Sequence, residues 1–401
     1  MKEKARPLDG IRVLEAGQLL AGPFTGSILA YYGAEVIKVE PPGDGDPIRS
    51  WRVLDDDGTS FWWRSLGRNK KCITANLRDD QGRELVRRLA RKCDVLIENF
   101  RPGVMEKWGL GPADLWVDNP GLIYARISGY GQDGPYSSKP GFASVCEGIG
   151  GMRYVNGKPD EAPMRPNLSL GDTMAGLHTA LGIVMACLHQ ANNPGSKGQV
   201  IDTALYEAVF NLLEGVVPEY DGAGVIREPS GSTITGIVPT NTYLCSDGKF
   251  IIIGANGDSI FKRLCEKMGR PDMAVDARFA DNAGRVRHEQ EIDDAITAWT
   301  GSMDSATALS LLDEARVPSG PIYSVADMMI NEHFIARGLF EEVSVNGKHL
   351  KIPAMVPKLS KTPGRTDWPG PEVGAFNQVV YDDLLGMSAE EIATLEEQGV
   401  L

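Results

Sequence analysis

Asp172 stands immediately after Gly171, at the start of a strongly apolar segment, in the run Leu168-Ser169-Leu170-Gly171-Asp172-Thr173. A carboxylate in the first turn of a helix is stabilised by the helix dipole, so one interpretation of this residue is purely structural. The alternative is chemical: a carboxylate can attack a carbonyl group and form a covalent acyl intermediate, with nearby N–H groups stabilising the oxyanion. Spacing alone leaves both interpretations open.

Glycine-rich and basic segments elsewhere could complete such a site. Residues 129–131 and 148–151 contain closely spaced glycines that could supply backbone N–H donors. A basic, partly aromatic stretch covers residues 62–71, with Arg78 after it, and a second group of cations lies within residues 98–107. In a protein of net negative charge these two groups fit an anionic phosphate ligand with an adenine to stack. A solvated charged loop is the alternative for both.

The elements that must position these residues begin with a β-α-β unit. Short apolar runs predict strands at residues 11–15 and 34–40, and helical spacing predicts a helix at 24–32 between them. The turn at residues 17–23 lacks the GxGxxG pattern that lets a backbone approach a pyrophosphate. We therefore expect no NAD site of the usual kind.

The alternation continues along the first half of the chain. Residues 81–92 predict a helix, and residues 94–98 and 122–127 predict strands. Strands that alternate with helices indicate an α/β fold with a parallel sheet covered on both faces. Residues 171–189 form a long segment that is small and apolar almost all round, which predicts a deeply buried helix.

Glycine and proline divide the chain into three parts. A flexible, glycine-containing stretch near residue 220 precedes two predicted strands and several helices, which indicates a smaller α+β domain at residues 225–325. Residues 1–224 form the N-terminal part of the large domain, and residues 326–401 form a linker and a C-terminal part that returns to it. Ser388 begins a capping box for a final helix.

Composition excludes several classes of function. The 41 basic and 54 acidic residues give a net charge of −13, which argues against a protein that coats nucleic acid. The sequence has no apolar stretch of about 18 residues and no signal peptide, so we expect no membrane partner and a cytoplasmic location. The 6 cysteines and 5 histidines are scattered without metal-ligand spacing, and we expect no metal site.

Seven segments together resemble the class III CoA-transferases of the CaiB/BaiF type. They are PLDGIRVL (7–14), AGP (21–23), GAEVIKVE (33–40), RNKK (68–71), VLIENFRPG (95–103), GYGQDGP (129–135) and GQVID (198–202). The family includes formyl-CoA transferase and the succinyl-CoA-dependent dicarboxylate transferases, and the α-methylacyl-CoA racemases share its fold. The resemblance covers nearly the whole chain, with the segments in the family's order.

The resemblance implies a Rossmann-like large domain built from both ends of the chain, a small domain between them, and two ring-like chains interlocked as a homodimer. It implies that Asp172 is the nucleophile, acylated through an aspartyl anhydride and an aspartyl-CoA thioester. Coenzyme A thioesters are then substrates, and no cofactor is bound permanently. The positions that line CoA and its thioester in the family correspond here to Gln18, Leu20, Ala21, Ala75, Arg78, Asn99, Phe100, Val104, Lys107 and Phe142.

Phe142 separates two activities of the fold. Formyl-CoA transferase has a tyrosine at this position and the racemases have a catalytic histidine. Racemisation needs an acid and a base on either side of the α-carbon, and a phenyl ring cannot exchange a proton. The sequence therefore disfavours a racemase. A non-catalytic CoA-binding subunit is a further alternative, which the intact Gly171-Asp172 pair disfavours.

The substrate prediction rests on a loop and on candidate arginines. Residues 236–243 look more like the succinyl-CoA-dependent dicarboxylate transferases than like the glycine-rich loop of formyl-CoA transferases. We expect succinyl-CoA as donor and a C4 to C5 dicarboxylate as acceptor, such as glutarate, malate, itaconate or citramalate. A distal carboxylate favours a bidentate arginine. Arg165 is one candidate, and Arg52 is the other, next to Trp51, whose position borders the acceptor pocket in the family. A formyl-CoA or other monocarboxylate transferase is the alternative.

Overall fold

The computed structural model describes residues 5–401 and contains a six-stranded sheet in which every pair of neighbouring strands is parallel. Its strands are β1 (Arg12–Glu15), β2 (Glu35–Glu40), β3 (Lys70–Thr74), β4 (Val95–Glu98), β5 (Ile123–Ser128) and β6 (Val200–Ala204). The first five are buried almost throughout, as expected for strands covered on both faces. The predicted α/β fold with a parallel sheet is confirmed.

The strand order is β3-β2-β1-β4-β5-β6. The chain builds outward from β1 in one direction and then returns to start again at β4 on its other side. The neighbouring carboxyl ends of β1 and β4 therefore form the point where the winding direction reverses. In doubly wound sheets ligands bind in the crevice at this point.

Helices cover both faces of the sheet. The helices between β1 and residue 214, apart from Met152–Val155, are Ala21–Tyr31, Phe61–Leu66, Asp80–Ala90, Val104–Lys107, Pro112–Leu115, Ala143–Ile149, Leu170–Asn192 and Leu205–Phe210. We call Ala21–Tyr31 the first helix and Leu170–Asn192 the long helix. The two pack closely, because a Cβ atom added to Gly176 would lie 2.9 Å from the carbonyl oxygen of Ala21.

The long helix has 23 residues and is long and apolar enough to cross a membrane by these two measures alone. Core helices of soluble proteins pass the same test. One side of the helix, including Ala175, Thr179 and Ile183, is buried within the fold, whereas Leu177 and Leu181 are more than half exposed. The predictions of a deeply buried helix and of no long apolar stretch are therefore wrong. The absence of a membrane partner stays a prediction.

The chain forms two compact units. The first contains the described residues up to 152, together with 166–214 and 335–401, and the second contains 153–165 and 215–334. The predicted small domain, residues 225–325, lies inside the second unit. The helices Met152–Val155 and Glu332–Ala336 span boundaries between the units.

The second unit has its own sheet and core. Strands β7 (Thr240–Leu244), β8 (Phe250–Gly254) and β9 (Ser319–Pro321) form an antiparallel sheet in that order. Its helices are Val216–Ala223, Asp258–Lys267, Pro271–Val275, Asn282–Arg287, Glu289–Thr300, Ser305–Glu314 and Val325–Ile330. Buried side chains such as Ile251, Phe261 and Ile292 join the sheet to the helices.

The C-terminal residues complete the first unit. A hairpin of β10 (Phe340–Val345) and β11 (Lys348–Pro353) precedes the helices Asn377–Leu385 and Ala389–Glu397. The side-chain oxygen of Asn377 accepts a hydrogen bond from the N–H of Thr74, and the hydroxyl of Tyr381 donates to the Thr74 carbonyl. These contacts tie the chain end to β3. The capping box predicted at Ser388 is confirmed.

Candidate active site

The carboxyl ends of β1 and β4 are joined by the side chain of Asn99. Its Oδ1 accepts the backbone N–H of Gln18 and its Nδ2 donates to the carbonyl of Gln18, both at 2.8 Å. Gly17 allows this approach, since a Cβ atom there would lie 2.9 Å from the same Oδ1. Asn99 therefore fixes the backbone of the loop that follows β1, at the point where the sheet's winding reverses.

A cavity of about 180 Å³ opens beside this loop and contains Asp172. The residue lies half-buried in the first turn of the long helix. The start of the first helix borders the same cavity through Leu20 and Ala21. The full lining is Leu19, Leu20, Ala21, Trp51, Trp62, Asn99, Phe100, Arg101, Pro102, Ile127, Ser128, Gly129, Ser137, Lys139, Gly141, Phe142, Ser169, Asp172 and Leu205.

Two helix N-termini thus face one small cavity with a carboxylate. The N–H groups of a helix's first turn have no acceptor within the helix, so those that no other group binds can stabilise negative charge. A thioester carbonyl that becomes an oxyanion beside Asp172 needs this environment. A carboxylate and two helix N-termini therefore lie together at this cavity.

Glu147, which sequence reasoning missed, supports the residue before Asp172. Its side chain is 1% exposed and its Oε1 accepts the N–H of Gly171 at 3.2 Å. A Cβ atom on Gly171 would lie 3.2 Å from that of Ala143, on the same short helix as Glu147. The only sequence signal is an acidic residue on an otherwise small and apolar helix.

The neighbouring thiol of Cys146 lies in surroundings that favour its protonated form. Burial, and secondarily the charge of Asp172, raise the pKa of Cys146 to about 11. The thiol donates to the carbonyl of Gly129 at 3.3 Å. Because the thiolate is the reactive form of cysteine, this group is inert near neutral pH.

The predicted glycine donors divide into two groups. Gly129 lines the cavity together with Gly141, and the two backbones touch, since a Cβ atom on Gly129 would lie 2.8 Å from the Cα atom of Gly141. No residue from 148–151 lies in the described lining of this cavity. The close approach of Gly129 and Gly141 shapes the wall beside Phe142.

A second cavity of about 550 Å³ adjoins the first, because Phe100 lines both. Of the residues predicted to contact CoA, it contains Gln18, Ala75, Arg78 and Phe100. Leu20, Ala21, Asn99 and Phe142 line the smaller cavity with Asp172. The structure thus brings eight of the ten predicted CoA positions to two adjoining cavities. Val104 and Lys107 lie on the short helix after β4, outside the described lining of either cavity.

The predicted substrate residues have different surroundings. Trp51 lines the cavity with Asp172, whereas Arg52 is absent from the described lining and places its guanidinium 3.9 Å from the ring centre of Trp62. Arg165 lies exposed in the second unit.

Arg101 and Lys139 are the cations in the described lining of the cavity with Asp172. The ammonium group of Lys139 lies 3.4 Å from the ring centre of Tyr136. Sequence reasoning did not single out Lys139 as a site residue. Its position just before Pro140 and Gly141 was the available signal.

The basic stretch at residues 62–71 was predicted to be either a site for an anionic ligand or a solvated loop, and its cations have a different role. The side chains of Arg64, Arg68 and Lys70 are at most 3% exposed. Arg64 pairs with Asp57 and Glu372. Lys70 pairs with the buried carboxylate of Glu15. The predictions of an anionic ligand and of a solvated loop are both wrong for these three cations, since their charges are neutralised inside the fold.

Comparison with known proteins identifies the chain's family. The model of "CoA-transferase family III" matches residues 8–377. The chain belongs to this family. The resemblance inferred from the sequence is confirmed, and the protein is a class III CoA-transferase whose substrates include CoA thioesters.

The names of similar proteins pair succinyl-CoA or succinate with a second dicarboxylic acid. This CoA-transferase is 46% identical to succinyl-CoA–D-citramalate CoA-transferase of Chloroflexus aurantiacus, over 99% of this chain and 98% of that protein. It is 34% identical to succinate–glutarate CoA-transferase of Agrobacterium fabrum, over 96% of this chain and 97% of that one. A crystal structure of a CaiB/BaiF family protein from Brucella suis matches with a TM-score of 0.85 and 33% identity, covering 95% of this chain and 100% of that one.

Proposed function

We propose that this enzyme transfers CoA from succinyl-CoA to a C4 or C5 dicarboxylate through covalent acylation of Asp172. The observation that carries the proposal is the position of Asp172 in the first turn of the long helix, inside a cavity that the start of the first helix also borders. A relative named for succinyl-CoA and D-citramalate supports the donor, and this relative and one named for succinate and glutarate support the class of acceptor.

The reaction conserves the energy of the thioester in four steps. The Asp172 carboxylate attacks the donor thioester, which forms a mixed anhydride and releases CoA thiolate. The thiolate attacks the aspartyl carbonyl, which gives an enzyme thioester and frees succinate. The acceptor carboxylate then attacks this thioester, re-forming an anhydride and the thiolate. Attack of the thiolate on the acceptor's acyl carbon yields the new acyl-CoA and restores the carboxylate.

The two adjoining cavities suit the two ends of the coenzyme. The larger cavity, with Arg78 at its edge, has the size to take part of the nucleotide end, and the smaller one holds the thioester beside Asp172. Phe100 lies at the passage between them. Apolar walls that include Leu20, Ile127 and Phe142 limit the access of water, which would hydrolyse an anhydride.

Arg101 and Lys139 are the residues that we assign to the distal carboxylate of the dicarboxylate. Neither cation pairs with a carboxylate among residues 5–401, and both line the cavity with Asp172. A carboxylate entering a largely apolar cavity needs a cationic partner. A monocarboxylate would not use these charges.

We further propose that two copies of the chain form a homodimer. One side of the long helix exposes Leu177, Leu181, Met185 and Leu188, each more than half exposed in the single chain. Such a continuous apolar face is typical of a protein interface. Light scattering on the purified protein tests this: the proposal requires twice the mass of one chain, and a monomer at micromolar concentration contradicts it. Cytoplasmic location stays a prediction.

Mass spectrometry tests the proposed chemistry. The enzyme is incubated with succinyl-CoA alone and then treated with hydroxylamine, which converts an activated aspartyl group to a hydroxamate. We expect this modification on Asp172 and its absence in Asp172→Asn, which should lose transfer but keep CoA binding. Near wild-type activity in that variant would overturn the assignment.

A panel of donors and acceptors tests the substrate. We expect succinyl-CoA with a dicarboxylate to be used most efficiently. A strong preference for formyl-CoA would favour the monocarboxylate transferase, and release of CoA without an acceptor would indicate a thioesterase. An unmodified and inactive wild-type protein would indicate a non-catalytic subunit.

A further inference from the structure

Four charged side chains lie fully buried behind the loop that follows β1. Lys38 Nζ lies 2.8 Å from Asp46 Oδ2 and 3.2 Å from Glu15 Oε1. Lys70 Nζ lies 2.9 Å from Glu15 Oε2, and all four side chains have no exposed surface. Glu15, Lys38 and Lys70 come from the neighbouring strands β1, β2 and β3. We call these residues and Asp46 the buried charge cluster.

Three members of the cluster, Lys38, Lys70 and Asp46, also bind the backbone of residues 17–23. Lys38 Nζ donates to the carbonyl of Gly17 at 2.8 Å, and Lys70 Nζ donates to the carbonyl of Pro23 at 2.6 Å. Between these points, Asp46 Oδ1 accepts the N–H of Leu19 at 3.0 Å. The cluster is therefore hydrogen-bonded to the backbone of residues 17–23 at Gly17, Leu19 and Pro23.

Leu19 shows why the loop needs such support. Its φ angle is +65°, in the left-handed region that a leucine adopts only at an energetic cost. The bend lets Gln18 line the larger cavity while Leu19, Leu20 and Ala21 line the cavity with Asp172. The hydrogen bond from Leu19 to Asp46 holds this conformation.

Burial of these three ion pairs is a poor means of gaining stability. Removing charges from water costs about as much as their attraction returns, and apolar residues of similar volume often stabilise a fold equally well. The cluster makes three hydrogen bonds to the backbone of residues 17–23, and residues of this segment line both cavities. These contacts indicate a role in positioning.

We propose that Asp46 and Lys38 are positioning residues, which set the backbone of residues 17–20 for binding the CoA substrate. They act through the loop and do not line either described cavity. The inference requires that the loop borders the CoA site, but it does not depend on the acceptor acid or on acylation of Asp172.

The test compares Asp46→Asn with Asp46→Leu, using free CoA as the probe. Both changes remove the charge that faces Lys38, so both should lower the melting temperature. Leucine should lower it further, because the N–H groups of Leu19 and Ile48 also lose their acceptor. Only asparagine keeps an acceptor for the N–H of Leu19. We expect the dissociation constant for CoA, measured by calorimetry, to stay within about threefold for asparagine and to rise at least about tenfold for leucine.

A buried cation outside the cluster supplies the control. Arg285 in the second unit is fully buried and donates to the carbonyls of Val238 and Phe279. Arg285→Met should lower the melting temperature and leave the affinity for CoA unchanged. If Asp46→Leu does not fold, Lys38→Met, which loses the bond to Gly17, should show the same tenfold weakening. Wild-type affinity for CoA in Asp46→Leu overturns the proposal, and so does wild-type affinity in Lys38→Met where that variant is used instead. Equal weakening of CoA binding by Asp46→Leu and Asp46→Asn also overturns it.

If the wild-type protein itself does not bind CoA, the assignment of the two cavities fails. The proposed chemistry is measured separately, through the hydroxamate at Asp172, so the two failures are distinguishable.

Discussion

The buried carboxylate of Glu147 accepts the N–H of Gly171, the residue immediately before Asp172. The contact joins the short helix Ala143–Ile149 to the first turn of the long helix. We therefore expect it to fix the first turn of the long helix, which carries Asp172.

Replacing Glu147 with leucine should lower kcat by about 100-fold, because small displacements of a reacting group are that costly. Glu147→Gln keeps an acceptor for Gly171 and should retain most activity. Steady-state kinetics measure both. Thr179→Val is the control. Thr179 is also buried on the long helix, and its replacement by valine removes the hydrogen bonds to Ala175 and Thr203. A wild-type kcat for Glu147→Leu would contradict the positioning role.

Asn99→Ala removes both hydrogen bonds to Gln18 and should weaken CoA binding by at least about tenfold, because the loop between the two cavities loses its fixed backbone. Asn119→Ala is a matched control: Asn119 donates to the carbonyls of Ala90 and Cys93 in the same unit but does not border either described cavity. Both variants should lose about 1–2 kcal/mol of unfolding free energy. Equal CoA affinity in the two variants would argue against the role of Asn99.

Cys146→Ala should retain wild-type kcat. With a pKa of about 11, only about one in a thousand Cys146 thiols is ionised at pH 8. Burial is the first cause of this shift, and transfer rates measured from pH 6 to pH 9 should therefore superimpose for the variant and the wild type. A loss of activity comparable to that of Asp172→Asn would instead assign the nucleophile to the thiol.

Lys139→Met should raise KM for a dicarboxylate acceptor by about 10- to 100-fold, as expected for a lost hydrogen bond to a charged group. KM for a monocarboxylate of the same length should not change. Arg101→Met should raise KM for a dicarboxylate in the same way. Lys139→Arg should retain the preference for dicarboxylates over monocarboxylates. Lys92→Met, at an exposed lysine outside the described cavities, is the control. An equal rise for both classes of acceptor would reject this specificity role.

Much of the architecture is local and could be predicted. Alternating apolar strands and amphipathic helices specify a covered parallel sheet, and the capping box at Ser388 depends on residues three positions apart. The position of Asp172 in a first helical turn follows from Gly171 and from the apolar segment after it. Each of these patterns is complete within a few turns of chain.

The partners of charged residues could not be predicted in this way. Lys70 binds a carboxylate 55 positions earlier, and Arg64 binds Glu372, 308 positions later. A basic stretch looks the same in a sequence whether it faces a ligand or neutralises buried acids. Arg52 and Lys139 illustrate the same difficulty, because only the folded loops decide which cation reaches the cavity.

The sequence by itself determined the fold class and the family, and it placed Asp172 at the start of a helix, because these features depend on periodicity, local capping and recurrent segments. Tertiary structure decided that β1 and β4 lie side by side, that Asn99 and the buried charge cluster hold one loop, and that Arg101 and Lys139 border the cavity with Asp172. These relationships join residues distant along the chain, and their distances exist only after the sheet has assembled.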